Sequence, residues 1–131
     1  LKKCGKERTD IGMTEKQYKN AIIKDMKNVG TYKEEFSIAV NTLSKIMFDY
    51  QETIGKFEKT GGNIIITHTN KSKETNVVKN PFYLAIETLR AQILKYLNEL
   101  GLTPAGLKKI NDKSLAVQKE SLLGKALSRL E

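Results

Sequence analysis

One cysteine, one histidine, no tryptophan, two prolines and three arginines are all that 131 residues contain of those types. The lone Cys4 excludes an intramolecular disulfide and has no Cys or His nearby to complete a zinc site, so a reducing, cytoplasmic setting is expected. No run approaches the eighteen or so consecutive apolar residues of a membrane span, and the N-terminus lacks the apolar centre of a signal peptide. No membrane partner is expected. His68 stands between Thr67 and Thr69 without a neighbouring carboxylate or thiol, which leaves nothing from which to build a triad or a metal site. The carboxylate pairs Asp49 with Glu52 and Glu34 with Glu35 fall on outward faces of a charged helical pattern, where solvation is the default. Gly61-Gly62 is not followed by the lysine and helix start of a phosphate loop. No catalytic residue, cofactor or metal is therefore expected. Having only Arg8, Arg90 and Arg129, the chain is also poorly equipped for dense base readout in DNA.

Lysine is what the sequence has in excess. Lys and Arg number 23 against 15 Asp and Glu, giving a net charge of +8 and favouring a polyanionic partner. The excess is uneven: residues 1–30 carry +4, 31–60 carry −1, 61–80 carry +2, 81–100 carry 0 and 101–131 carry +3. A neutral middle with basic ends suits a scaffold carrying charged appendages. With 39% hydrophobic and 29% charged residues the composition is that of a folded protein, and the length suits one domain. Three parts are expected: a disordered N-terminal extension over 1–12, a helical domain over 13–110, and a C-terminal helical tail over 111–131.

Thr14-Glu15-Lys16-Gln17 has the form of a capping box and predicts a helix start. Beyond it Tyr18, Ile22, Met26 and Val29 share one side, with Lys16, Lys19, Lys24 and Lys27 expected on the opposite arc. Gly30 ends this short basic helix. From Phe36 the apolar positions Val40, Leu43, Met47, Tyr50, Ile54 and Phe57 follow at alternating spacings of four and three, predicting a long helix over about 32–59, weakened only by Gly55. Phe82, Ile86, Leu89, Ile93, Tyr96 and Leu100 repeat the pattern after a cap at Asn80 and a first-turn Pro81. Two matching stripes on consecutive helices predict a coiled-coil-like antiparallel helical hairpin. Between them, Ile64-Ile65-Ile66-Thr67 and Val77-Val78 flank a polar stretch and predict a small β-hairpin or extended tip with Lys71 and Lys73 exposed in its turn. Thr103-Pro104 opens a short helix that Asn111-Asp112 is expected to break. A last amphipathic segment then carries Leu115, Leu122, Leu123, Leu127 and Leu130. The fold class expected is mainly α.

The lysines of the first helix, with Lys108, Lys109 and Lys113, are the candidate DNA contacts, because ammonium groups gathered on one face neutralise phosphates and release counterions. Such contacts position a protein on DNA and carry little base information. The first two helices have helix-turn-helix proportions, but the second is too long and too acidic for a recognition helix.

The stretch Asn80-Pro81-Phe82-Tyr83-Leu84-Ala85-Ile86-Glu87, leading into Leu100-Gly101-Leu102-Thr103-Pro104-Ala105-Gly106-Leu107-Lys108-Lys109-Ile110, resembles the phage terminase small subunit family of siphophages and prophages of Gram-positive bacteria. Tyr32-Lys33-Glu34-Glu35-Phe36 and Thr60-Gly61-Gly62 are similar too, so the resemblance covers about 22–110. It implies a ring-forming homo-oligomer that binds double-stranded viral DNA in the host cell. It further implies recruitment or regulation of a separate large subunit, which holds the ATPase and the nuclease. The tail is then expected to dock on that large subunit. A basic oligomeric scaffold and a helix-turn-helix-like DNA-binding regulator are the alternatives to a packaging role.

Overall fold

The computed structural model describes residues 12–129. Residues 1–11 of the expected 1–12 extension, with Cys4 and Arg8, and Leu130 lie outside the described residues, as do the side chains of 114–122, including Leu115 and Leu122.

Helix α1 (Glu15–Val29) opens on the capping box: Gln17 N donates to Thr14 Oγ1 at 3.2 Å and Thr14 N to Gln17 Oε1 at 2.8 Å. Gly30, in the left-handed region, closes it. One 3-10 turn (Glu34–Phe36) then leads into α2 (Ser37–Lys59), so the long helix begins on a tighter turn than its periodicity predicts. Phe36 consequently lies at the end of that turn and stays 41% exposed instead of joining the seam.

Strands β1 (Ile65–Thr69) and β2 (Thr75–Lys79) pair antiparallel, with Ile65 opposite Lys79 and Thr69 opposite Thr75. The turn between them spans residues 70–74, because Thr75 and Asn76 belong to β2. Helix α3 (Pro81–Glu99) follows at once, capped by the Asn80 side chain accepting from Phe82 N at 3.0 Å. Contacts between α2 and α3 run in opposite order along the two helices. Phe57 meets Tyr83, with ring centroids 5.8 Å apart, Tyr50 meets Arg90, and Val40 and Leu43 share a cluster with Leu100. The predicted antiparallel helical hairpin is therefore present, with the β-hairpin at its far end.

The core sits at the opposite end, where α1 covers the start of α2 and the close of α3. Ile22, Met26, Val40, Leu43 and Leu100 are buried there, with Met47, Ile93 and Tyr96 packed against them. Burying side chains of this size contributes about 1.5–3 kcal/mol each. Ser44 is buried among them because its hydroxyl donates to Val40 O at 2.7 Å, one turn earlier.

Helix α4 (Pro104–Ser128) corrects one expectation. It runs without interruption through Asn111-Asp112. Neither residue forbids helix, and beyond the first turn, where the Thr103 side chain accepts from Gly106 N at 3.1 Å, no Gly or Pro occurs before Gly124. Its first turns lie against α3 through half-buried Leu107 and Ile110, while Leu123 and Leu127 are 63% exposed.

Candidate nucleic-acid interface

The lysines of α1 are arranged differently from the simple opposition expected. Ile22 and Met26 alone are buried, and Val29 is 39% exposed. Measured from that buried pair at roughly 100° per residue, Lys19 borders the core, Lys16 and Lys27 follow round the flank, and only Lys24 points directly away. The other flank carries Tyr18, Ala21, Asp25 and Val29, which edge a groove of about 430 Å³ facing Leu97 and Leu102. The basic side is thus one flank of α1, with half-buried Lys19 at its inner margin. Lys16 and Lys19 open on a shallow trough of about 370 Å³ shared with Glu15 and, on α2, with the uncharged Asn41 and Ser44.

The orientation of that flank is fixed by one glutamine. Gln51 accepts from the Tyr18 hydroxyl at 2.6 Å and donates to Met13 O at 3.2 Å, clamping the N-terminal half of α1 to the middle of α2. At the other end Lys27 Nζ lies 5.1 Å from the centre of the Tyr32 ring. Sequence periodicity did not single out Gln51. Val40, Ser44 and Gln51 do recur on a second stripe of α2, the one facing α1, but two of the three are polar and the stripe does not read as apolar.

On α4 the three lysines divide. Lys109 and Lys113, one turn apart, border a groove of about 360 Å³ with Asn98, Glu99, Gly106 and Ile110. Lys108 lies on the neighbouring stripe, one turn before Asp112. All three are exposed. The end of α1 and the start of α4 meet at one pole of the molecule, where Thr31 Oγ1 donates to Leu100 O at 2.9 Å and Gly101 lies against Thr31 and Ile110. Lys27 is therefore the α1 lysine nearest the α4 set, whereas Lys16 lies toward the middle of the stalk.

Among the described residues, carboxylates come within ion-pair distance of Lys45 (Asp49, 2.9 Å) and Lys79 (Glu87, 2.6 Å) and of none of the seven candidate lysines. The hydrogen bond and charge of Asp49 hold the Lys45 ammonium above its ordinary pKa. No three His, Cys, Asp or Glu side chains converge as a metal site among the described residues, and no described helix is long and apolar enough to cross a membrane.

The corner joining α3 to α4 explains the most distinctive sequence run. Gly101 takes a φ of +73°, Leu102 N donates back to Leu97 O at 2.9 Å, Thr103 bonds Asn98 Oδ1 and caps α4, and Gly106 lies against the backbone of Asn98. Leu-Gly-Leu-Thr-Pro-Ala-Gly is thus a device for turning one helix sharply onto the next.

Fold and surface together define a mainly α, helical-hairpin protein with a projecting β-ribbon, whose candidate functional groups are surface lysines. The sequence model of the family described as phage terminase, small subunit, matches residues 15–114, and the chain belongs to that family. Membership implies a role in phage DNA packaging. No curated protein and no solved structure matches the chain.

Proposed function

We propose that the chain is the DNA-binding, non-catalytic subunit of a packaging terminase. It assembles into a homo-oligomeric ring on double-stranded viral DNA and recruits or regulates the large ATPase and nuclease subunit. The family match over 15–114 carries this reading. Support comes from the lysines of α1 and α4 that no described carboxylate pairs, and from apolar side chains left on the outer face of the stalk, Ile38 at 79%, Leu94 at 57% and Leu84 at 46% exposure. A second copy would cover these. Each lysine contact is weak alone, and a ring multiplies it.

The test is titration of the intact chain with duplex DNA at rising salt. The expected affinity falls steeply, and replacing Lys16, Lys19, Lys24 and Lys27 together by Ala flattens the log–log salt slope by about 3–4. A parent chain that binds no duplex, or a variant with an unchanged slope, counts against the assignment of these lysines. Removing residues 114–131, with exposed Leu123 and Leu127, is expected to abolish co-purification with the large subunit at unchanged oligomer mass. Retained co-purification would place that contact elsewhere.

A further inference from the structure

The β-hairpin has no part in the core. Every residue of its strands except half-buried Ile66 is exposed, yet it is fixed at both ends. At its base Asn80, 3% exposed, donates through its side chain to Asn63 O at 3.0 Å, and its backbone N–H reaches Ile64 O at 2.7 Å. At its tip the Asn70 side-chain oxygen accepts from Ser72 N at 3.1 Å, Ser72 Oγ at 2.8 Å and Glu74 N at 3.0 Å, while Asn70 N donates to Glu74 O at 2.9 Å. A connector between two helices needs none of this ordering.

What the ordering achieves is presentation. Lys71 and Lys73 are exposed in the turn, with no carboxylate within ion-pair distance among the described residues. Behind the turn, past the Thr69–Thr75 pair, His68 and Asn76 stand opposite each other on one face of the ribbon. The major groove of B-DNA, roughly 12 Å wide, admits a two-stranded ribbon. Five-residue strands span roughly 17 Å, so the ribbon lies along a groove roughly 8.5 Å deep, with one face on the groove floor and the tip at its edge. The helical lysines supply charge without base discrimination. Arg90, the residue type that most often reads guanine, is held instead by the Tyr50 hydroxyl at 3.0 Å. Asn76, whose amide matches the adenine edge, is by contrast exposed on a projecting element.

We propose that the β1–β2 ribbon is a second DNA-contacting element, which enters the major groove with Lys71 and Lys73 on phosphates and with His68 and Asn76 at base edges. The inference rests on the DNA-binding reading above and adds to it the source of sequence preference. Charge complementarity favours DNA over a second copy of the chain as the occupant, because the turn carries Lys71 and Lys73 against the single carboxylate of Glu74, which pairs with neither, and is net positive. Copies meeting tip to tip would bring like charges together.

The experiment uses the full chain and duplexes carrying a randomised central segment, selected by binding to the parent protein. Lys71→Ala with Lys73→Ala is expected to weaken binding to all duplexes and to lower the salt slope by about 2. His68→Ala with Asn76→Ala is expected to reduce affinity for selected duplexes about tenfold, towards that for unselected ones, which is itself unchanged. Circular dichroism checks that each exposed variant keeps its helices. If both variants bind as the parent does while the α1 lysine variant loses binding, the ribbon inference fails and the packaging reading stands. Unchanged DNA binding together with a native mass altered by Val77→Lys assigns the ribbon to contact between copies and overturns the proposal. A parent chain that binds no duplex removes both.

Discussion

Two glycines at the α3–α4 corner answer to different physical demands, and substitution separates them. Gly101 adopts a left-handed φ of +73°, and an added Cβ would crowd the side-chain ends of Ile110 and Thr31, at 2.8 and 3.0 Å, with the nearest backbone atom, Leu107 Cα, at an ordinary 3.7 Å. Gly101→Ala should therefore cost about 1–2 kcal/mol, the penalty of a left-handed conformation for a residue with a Cβ. Gly106 has ordinary helical geometry, but a Cβ there would fall 2.1 Å from Asn98 O, and that atom belongs to backbone. Helices α3 and α4 would have to separate, so Gly106→Ala should cost about 2–3 kcal/mol. Urea midpoints measure both. A Gly106→Ala protein as stable as the parent would mean that α4 does not lie against α3 in solution.

At the scale of elements the third interior glycine gives the opposite sign. Gly55 lies within α2, where a Cβ would meet nothing within 4 Å. Gly55→Ala should stabilise the chain by about 0.5–1 kcal/mol, because helix no longer has to restrict the most flexible residue. The melting temperature should rise by roughly 2–6 °C. A lower value would indicate that Gly55 is needed for close approach by another chain. The helices themselves were legible because local signals agreed: capping box at Thr14, Pro81 after Asn80, and apolar residues at alternating spacings of three and four. The ribbon was legible from two β-branched runs, Ile64-Ile65-Ile66 and Val77-Val78, on either side of a polar turn, and Ile66 does pair with Val78. Two features were hidden by the limits of periodicity. Stripe spacing names the helix face but not the direction in which the helix is set down, so it missed that α1 presents a basic flank and rests on Gln51. It also treated Asn111-Asp112 as a stop, although the preceding cap and the helix-compatible residues that continue to Gly124 carry α4 onward. The seven lysines were readable as charge, and their division between trough, groove and open flank was not, because that depends on which neighbours share each helix's other face.

For the whole molecule, the amount of apolar surface left outside is the feature with consequences. On α3 the buried stripe runs through Ile86, Ile93 and Leu100, but Leu84, Ala91 and Leu94 recur at spacings of seven and three on the outer side, with Leu84 46% and Leu94 57% exposed. A two-helix stalk has only one layer, so among the described residues nothing covers this outer stripe. In the assembly proposed above, a neighbouring copy would cover it. Leu84→Glu with Leu94→Glu should then reduce the native mass to that of one chain while leaving the helix content unchanged, since neither side chain belongs to the core. DNA affinity should fall in the same variant by roughly a hundredfold or more, because contacts that are individually weak lose their multiplicity. The α1 lysine variant supplies the contrast, losing affinity at full mass. Should the double glutamate variant keep the parent's mass, the outer stripe is not a surface between copies, and the proposed assembly loses this support.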